Sequence, residues 1–290
     1  MTASDDRSGA SREGLNRPRR IMGRVLIVAG SDSGGGAGIQ ADIKAVTALG
    51  GFAATAITAL TAQNTEGVHG VLPIPVAFIR QQIEVVLRDI GADALKTGML
   101  HDAATIEAVC DALAAEAPGV PLVADPVMVA KGGHPLLQPD AVETLKRRLL
   151  PLAAIITPNL PEAEVLLGCR IPDAAAMPAA ARALLGLGVR AALLKGGHLQ
   201  GERLVDILAT PDGITAFEDT RIDTRHTHGT GCTLASAIAA GLAQGLALGD
   251  AVARARAYVR AAILAAPGYG SGHGPLDHGV TFDPARLGAA

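Results

Sequence analysis

The chain has 290 residues, 49% apolar and 18% charged, and a formal net charge of -3 at pH 7. That composition supports a large packed core, holds no apolar run of the roughly 18 to 20 residues a membrane helix needs, and lacks the basic stripe of a nucleic-acid binder. Aromatics at 2% leave little for stacking bases, and three widely spaced cysteines, Cys110, Cys169 and Cys232, argue against a disulfide framework or zinc site and for a reducing cytoplasm.

Residues 1–20, MTASDDRSGASREGLNRPRR, are polar with no apolar stretch behind the arginines. Residues 1–22 are therefore expected to be a disordered tail and not a signal peptide. RVLIVAG (24–30) predicts a buried strand, and GAGIQADIKAVTALG (36–50) a helix that begins inside a glycine-rich loop. FAATAITALTAQN (52–64) predicts a second strand running into a loop. PVAFIRQQIEVVLRDI (75–90) has apolar residues at helical spacing and a proline near its start, and the strand-like DALKTGM follows. The alternation continues with a helix over 103–116 before PLVADPVM, a helix over 139–149 before AAIITPN, and helices near 161–168 and 176–187 before RAALLKGG. Repeated units of this kind, with strands apolar on both faces, define an α/β protein whose mainly parallel sheet is covered by helices. RLVDILATPDGITAFEDTRI breaks the pattern, its P-D-G predicting a hairpin at one sheet edge. HTHGTGCTLASAIAAGLAQGLALG then opens a helix, and a last one covers about 249–266. No segment from 24 to 280 has linker composition, so 23–290 is read as one domain.

Five of the nine residues from Gly30 to Gly38 are glycine, so this backbone must come close to something. A phosphate loop needs a glycine followed by Lys and then Ser or Thr, whereas Gly36 is followed by Ala37, Gly38 and Ile39. The dinucleotide fingerprint fails too, because Ile39 stands where its last glycine belongs. The loop is not read as a pyrophosphate grip.

Ligands of open parallel sheets gather at the carboxyl ends of strands, and the remaining unusual segments fall at those ends. In HGTGC, Gly229 and Gly231 flank Thr230 in a turn able to cradle an anion, and the helix beginning there aims its free N–H groups at whatever lies in front. Cys232 in the first turn is expected to have its thiol pKa lowered by the helix dipole, as a base or hydrogen-bond partner for a substrate hydroxyl. The same residues equally describe a glycine-rich helix start with a small buried cysteine. Asn159 and Glu162 in NLPE have the spacing of a helix capping box and also of a pair that holds hydrated magnesium. Asp125 at a strand end either helps a metal or starts a turn, and Lys195 either meets a phosphate or is solvated. Asp42 can face a ligand over the glycine loop or be an exposed helix carboxylate; Gln63 and Asn64 can read a heterocycle; Met99 can supply an apolar wall or simply core. His198, His226 and His228 have no metal-ligand spacing and are assigned no metal.

Taken together, AGSDSGGGAGIQADIKA, ITALTAQNT, KTGML, DPVMVAKGG, TPNLPEAEVLL, LLKGGH and HGTGCTLASAIAA closely resemble, in colinear order over roughly 24–275, the hydroxymethylpyrimidine and phosphomethylpyrimidine kinases of the ribokinase-like superfamily. The resemblance implies a three-layer α/β/α fold and ATP- and magnesium-dependent phosphorylation of 4-amino-5-hydroxymethyl-2-methylpyrimidine and then of its monophosphate, in thiamine biosynthesis. It implies that Asp42 and Gln63 hydrogen-bond the aminopyrimidine, with Gly30 giving backbone approach and Met99 flanking the ring. It further implies that the N–H groups of Gly229, Thr230, Gly231 and Cys232 form the anion hole, with Cys232 replacing the aspartate base of many sugar kinases and orienting the acceptor. Asn159 and Glu162 then match the N-x-x-E element that organises magnesium and phosphate through water, with Asp125 and Lys195 as helpers. A homodimer is implied, with no nucleic-acid or membrane partner. Two alternatives stay open: pyridoxal kinases of the same branch, which also carry GTGC, and a noncatalytic pyrimidine-binding protein.

Overall fold

β1 (Arg24–Ala29) shows why the sheet is buried on both sides. Successive strand residues point to opposite faces, and here Leu26 and Val28 enter one apolar cluster while Val25, Ile27 and Ala29 enter another. The computed structural model describes residues 22–282 apart from 131, 132, 135 and 139. The expected tail thus lies outside the described residues except for Met22, as does part of the DPVMVAKGG segment. β2 (Phe52–Ile57) and β5 (Ala94–Thr97) flank β1 in parallel, and the parallel run continues through β6 (Leu122–Ala124), β7 (Ala153–Ile156) and β8 (Ala192–Lys195). β9 (Arg203–Thr210) and β10 (Gly213–Thr220) close the far edge as the antiparallel hairpin that P-D-G predicts.

Helices cover both faces. α1 (Gly38–Ala48), α7 (Thr230–Ala243) and α8 (Leu248–Leu264) lie against one; α2 (Val76–Asp89), α3 (Ala103–Glu116), α4 (Ala141–Thr144), α5 (Leu160–Leu167) and α6 (Met177–Leu185) lie against the other. This is the three-layer α/β/α architecture, with small residues where α7 crosses α8: a Cβ on Gly241 would stand 2.7 Å from Cβ of Ala251.

Two expected elements differ. The strand and loop read over 52–64 are β2, a bend at Thr58, and β3 (Ala59–Gln63), which pairs with β4 (Val68–Pro73) as a separate hairpin. Apolar residues flank Thr58 on both sides, so no turn residue marks the bend; it is held by Thr58 N–H on the Ala29 carbonyl (3.0 Å) and Thr58 Oγ1 on the Met99 carbonyl (2.7 Å). The helix expected over 139–149 keeps α-geometry only in α4 and continues as a π turn over Leu145–Leu149, which sets Leu145 and Leu149 in the core.

The strand order reverses beside β1, since the chain steps outward to β2 and later returns to place β5 on the other side. A crevice forms at such a switch point, beyond the carboxyl ends of the strands. The C-terminal segment closes over α7, where buried His278 Nε2 lies 2.9 Å from Thr233 Oγ1 and Tyr258 donates to the His278 carbonyl. Burial holds the His278 imidazole down at about 4 from an ordinary 6.5. Between those two pKa values the unfolded chain binds a proton that the folded protein refuses, so stability must fall as the solution is acidified through this window. The full effect is about 3 kcal/mol. His278→Gln, which can keep the contact to Thr233, is expected to flatten that acid dependence in urea denaturation; an unchanged slope would remove His278 as its source.

Candidate active site

A cleft of about 920 Å³ opens over the carboxyl ends of the parallel strands, and residues of the strand-end segments singled out in the sequence line it. Gly30 and Met99 come from the ends of β1 and β5, Asp125 follows β6, Asn159 and Glu162 follow β7, Lys195 ends β8, and Gln63 reaches in from the end of β3. Gly229, Thr230, Gly231 and Cys232 complete the wall from the start of α7.

The glycine-rich loop wraps a carboxylate of its own. Asp32 accepts hydrogen bonds from Gly34 N–H (2.8 Å), Gly36 N–H (3.0 Å) and Ala37 N–H (2.8 Å), so those amides are spent before any ligand arrives. Gly38 must be glycine, because at φ +55° a Cβ would stand 2.5 Å from the Gly30 carbonyl oxygen. The loop is laced to β3 by Ser33 Oγ, which donates to the Gln63 carbonyl and accepts from the Gln63 N–H, each at 2.8 Å.

Asp42 requires a correction. Its carboxylate does not face the cleft but is buried against Lys96, whose Nζ lies 2.8 and 3.0 Å from its two oxygens, and Ser236 Oγ donates to it at 2.7 Å. Burial pushes the Asp42 carboxyl up, while Lys96 and Ser236 pull it down. Burial would also lower the Lys96 ammonium, yet Asp42, Cys232 and Asp125 outweigh it and Lys96 is held protonated. Burial has the larger effect on the Asp42 carboxyl, and the three hydrogen bonds that Lys96 and Ser236 give its oxygens work against it in favour of the charged form. Lys96 itself borders the cleft, so Asp42 bears on the site through that lysine, and its charge also reaches Cys232.

The α7 turn borders the same cleft. Gly229, at φ +82°, is the N-cap and supplies no side-chain cap; the Thr230 N–H reaches back to the Thr227 carbonyl at 3.4 Å, and Gly231 and Cys232 line the cleft beside it. A Cβ on Gly231 would lie 3.4 Å from Lys195 Nζ and 3.7 Å from an oxygen of Asp125, so the cation, the acid and the helix start share one small space. Lys195 Nζ is 3.4 Å from Asp125 Oδ1, which also accepts from Thr157 Oγ1 at 3.0 Å. Burial opposes the charge on Lys195, but Asp125 and Glu162 outweigh it and raise its pKa.

Asn159 and Glu162 do form a capping box: the Asn159 side chain accepts from Glu162 N–H (2.9 Å), and the Glu162 carboxylate from Asn159 N–H (2.8 Å). Glu162 is nonetheless part of the cleft, and burial, aided by the charge of Asp125, lifts it to about 7. Among the described residues no group of three or more His, Cys, Asp or Glu forms a protein-only metal cage. Two oxygen acids beside a space fit for phosphate suit magnesium, which keeps most of its waters and binds through one or two carboxylates and the nucleotide. Asp125 and Glu162 would hold it, and it would neutralise charge on the phosphates.

Cys232 also departs from expectation. Burial pushes its thiol up to about 12, overriding Lys96 and the Gly38 N–H that favour the thiolate, so it is a neutral thiol at physiological pH. Sequence reading also missed His228, assigned no metal and no other role, whose Nε2 is 2.8 Å from Asp32 Oδ2. Its place immediately before the two glycines was the only signal available.

A doubly wound sheet with a strand-end cleft, a helix start bordering it and two acids beside a lysine is the arrangement of a small-molecule kinase of ribokinase-like fold. Residues 32–277 match the family model described as phosphomethylpyrimidine kinase. The chain belongs to that family. It is 53% identical over 91% of its length to the thiamine biosynthesis bifunctional protein ThiED of Geobacter sulfurreducens, of which it spans 54%. With the hydroxymethylpyrimidine/phosphomethylpyrimidine kinase of Streptomyces coelicolor it shares 50% identity, over 88% of this chain and 94% of that one. Among solved structures, an ADP complex of Bacillus subtilis pyridoxal kinase superposes with a TM-score of 0.83 at 37% identity, covering 89% of this chain and 98% of that chain.

Proposed function

We propose that residues 23–290 act as one ATP- and magnesium-dependent kinase domain that phosphorylates 4-amino-5-hydroxymethyl-2-methylpyrimidine and then the resulting monophosphate, in the cytoplasm. The observation that carries this reading is the sharing of one cleft by the Gly30, Gln63 and Met99 wall and the open start of α7. A flat heterocycle on that wall presents its hydroxymethyl group toward Cys232, while the N–H groups of Gly229 to Cys232 receive the phosphoryl group in transit. Lys195 meets the phosphates, and Asn159 holds Glu162 in place for magnesium together with Asp125.

The neutral thiol of Cys232 orients the acceptor hydroxyl; a loose phosphoryl transfer needs little proton removal before its transition state, so a strong base is not required. Cys232→Ala is expected to lower kcat about a hundredfold, with Cys232→Ser recovering part of it and KM for ATP moving less than about twofold. An equal loss of nucleotide affinity would place Cys232 on the donor side.

A homodimer is part of the reading. Leu60 and Leu72, paired across the β3–β4 hairpin, are both exposed, an apolar pair suited to a second copy. Light scattering on the purified protein tests it. The activity is tested by ATP-dependent transfer to the hydroxymethylpyrimidine, its monophosphate and pyridoxal side by side. Turnover on both pyrimidines well above pyridoxal supports the reading; a preference for pyridoxal moves the protein to that neighbouring activity, and transfer to none leaves a binding protein.

A further inference from the structure

The glycine-rich loop and the anion-holding turn are far apart in sequence and joined by one imidazole. His228 immediately precedes Gly229, the N-cap of α7, and its ring packs so closely on the loop that a Cβ on Gly36 would stand 2.5 Å from its Cδ2. Its Nε2 lies 2.8 Å from Asp32 Oδ2 and 3.3 Å from the terminal amide of Gln63.

The chemistry of the neighbours fixes where the protons are. Burial would raise the Asp32 pKa, but His228 and the loop amides outweigh it and bring it down, so Asp32 is a carboxylate and only accepts. The proton in the Asp32–His228 contact therefore sits on Nε2. On the other side of Gln63, Thr61 Oγ1 is 2.9 Å from the Ser31 carbonyl, an acceptor that takes its single hydroxyl proton. Thr61 Oγ1 is also 3.2 Å from the Gln63 amide, toward which it is left as an acceptor. Both neighbours impose the same orientation. With the Gln63 nitrogen toward His228 two donors would face each other; with the amide turned over, its oxygen accepts from His228 and its NH2 donates to Thr61.

We propose that His228 is a positioning and specificity-determining residue, whose Nε2–H, shared by Asp32 and Gln63, fixes which atoms of the Gln63 amide are offered to the substrate ring. That orientation leaves one N–H and one oxygen lone pair of Gln63 at the cleft. Such an edge pairs with a heterocycle presenting a ring-nitrogen acceptor next to an exocyclic amino donor, as a 4-aminopyrimidine does, and mismatches a ring that carries no amino group. Because the same ring adjoins Gly229, it also keeps the substrate wall in register with the phosphoryl-binding turn.

The inference rests on the kinase reading above, and two experiments separate the two. Long-range nitrogen–proton NMR on the labelled protein, with His228 assigned by its loss in His228→Gln, is expected to show a proton on Nε2; an unprotonated Nε2 overturns the assignment, whatever the substrate. In kinetics, His228→Leu, which has no donor, is expected to raise KM for the hydroxymethylpyrimidine about tenfold and to move KM for ATP by less than about twofold. His228→Gln, which can donate an N–H over a similar reach, is expected to recover most of that loss. Equal rises in both KM values, or a glutamine variant no better than leucine, would mean that His228 is only structural. Should the leucine variant not fold, the glutamine variant and the NMR signal still decide. Failure of the unaltered protein to phosphorylate any pyrimidine would refute the kinase reading separately.

Discussion

Asp42→Ala is expected to cost roughly 3–5 kcal/mol of folding stability, because it strands the Lys96 ammonium in the core. Both side chains are fully buried, the bidentate contact is 2.8 and 3.0 Å long, and among the described residues Ser236 is the other donor on the carboxylate. Breaking one member of such a pair costs far more than removing both, since the attraction between two buried charges mainly offsets what each lost on leaving water. Asp42→Leu combined with Lys96→Met should therefore be clearly more stable than Asp42→Ala alone, measured as urea midpoints at constant m. If Asp42→Ala instead unfolded within about 1 kcal/mol of the unaltered protein and bound pyrimidine weakly, the carboxylate would belong to the substrate wall as the sequence resemblance implied. Lys96 borders the cleft, so some loss of activity accompanies the loss of stability; the double variant shows how much of it follows from charge alone.

The difference between those two roles for Asp42 marks where sequence reading stops. Its partner is 54 positions away on β5, and a lysine in a strand written DALKTGM carries no sign of which carboxylate it will meet. Elements were legible wherever periodicity was sustained: α3 covers 103–116 as expected, and the P-D-G hairpin closes the sheet edge. The β3–β4 hairpin was not, because apolar residues flank Thr58 on both sides and the bend is held by tertiary hydrogen bonds to Ala29, Met99 and Ile74. Strand-end motifs located the cleft because parallel sheets gather ligands at one edge by topology. Charge states were beyond reach. For Cys232 the sequence discloses a helix start, which lowers a thiol pKa, but not the burial that lifts it to about 12. The Asp32–His228 contact spans 196 positions and joins two glycine runs that each have a complete local explanation without the other.

The two glycines of HGTGC are expected to fail in opposite ways when changed to alanine. Gly229 sits at φ +82°, and an added Cβ would lie 1.8 Å from the Gly36 carbonyl oxygen, a clash with backbone that no side-chain adjustment relieves. Gly229→Ala should therefore push the glycine loop and α7 apart and destabilise the fold by several kcal/mol, on the order of the larger single-site effects. Gly231 has room: its Cβ would meet only Lys195 Nζ at 3.4 Å and Asp125 Oδ2 at 3.7 Å, ordinary contacts. That room is the space the transferred phosphoryl group must enter if the first-turn N–H groups are its anion hole. Gly231→Ala is expected to fold with nearly unchanged thermal stability yet lose about a hundredfold to a thousandfold in kcat, the range seen when an anion-hole donor is removed. A methyl group between Lys195 and Asp125 would do this by displacing phosphate oxygens from both. Should Gly231→Ala retain full turnover, phosphoryl transfer would have to occur elsewhere in the cleft. Should it unfold like Gly229→Ala, the turn would be shown to be structural throughout. Only a stable, folded and slow Gly231→Ala enzyme fits an open helix start that is reserved for the reaction.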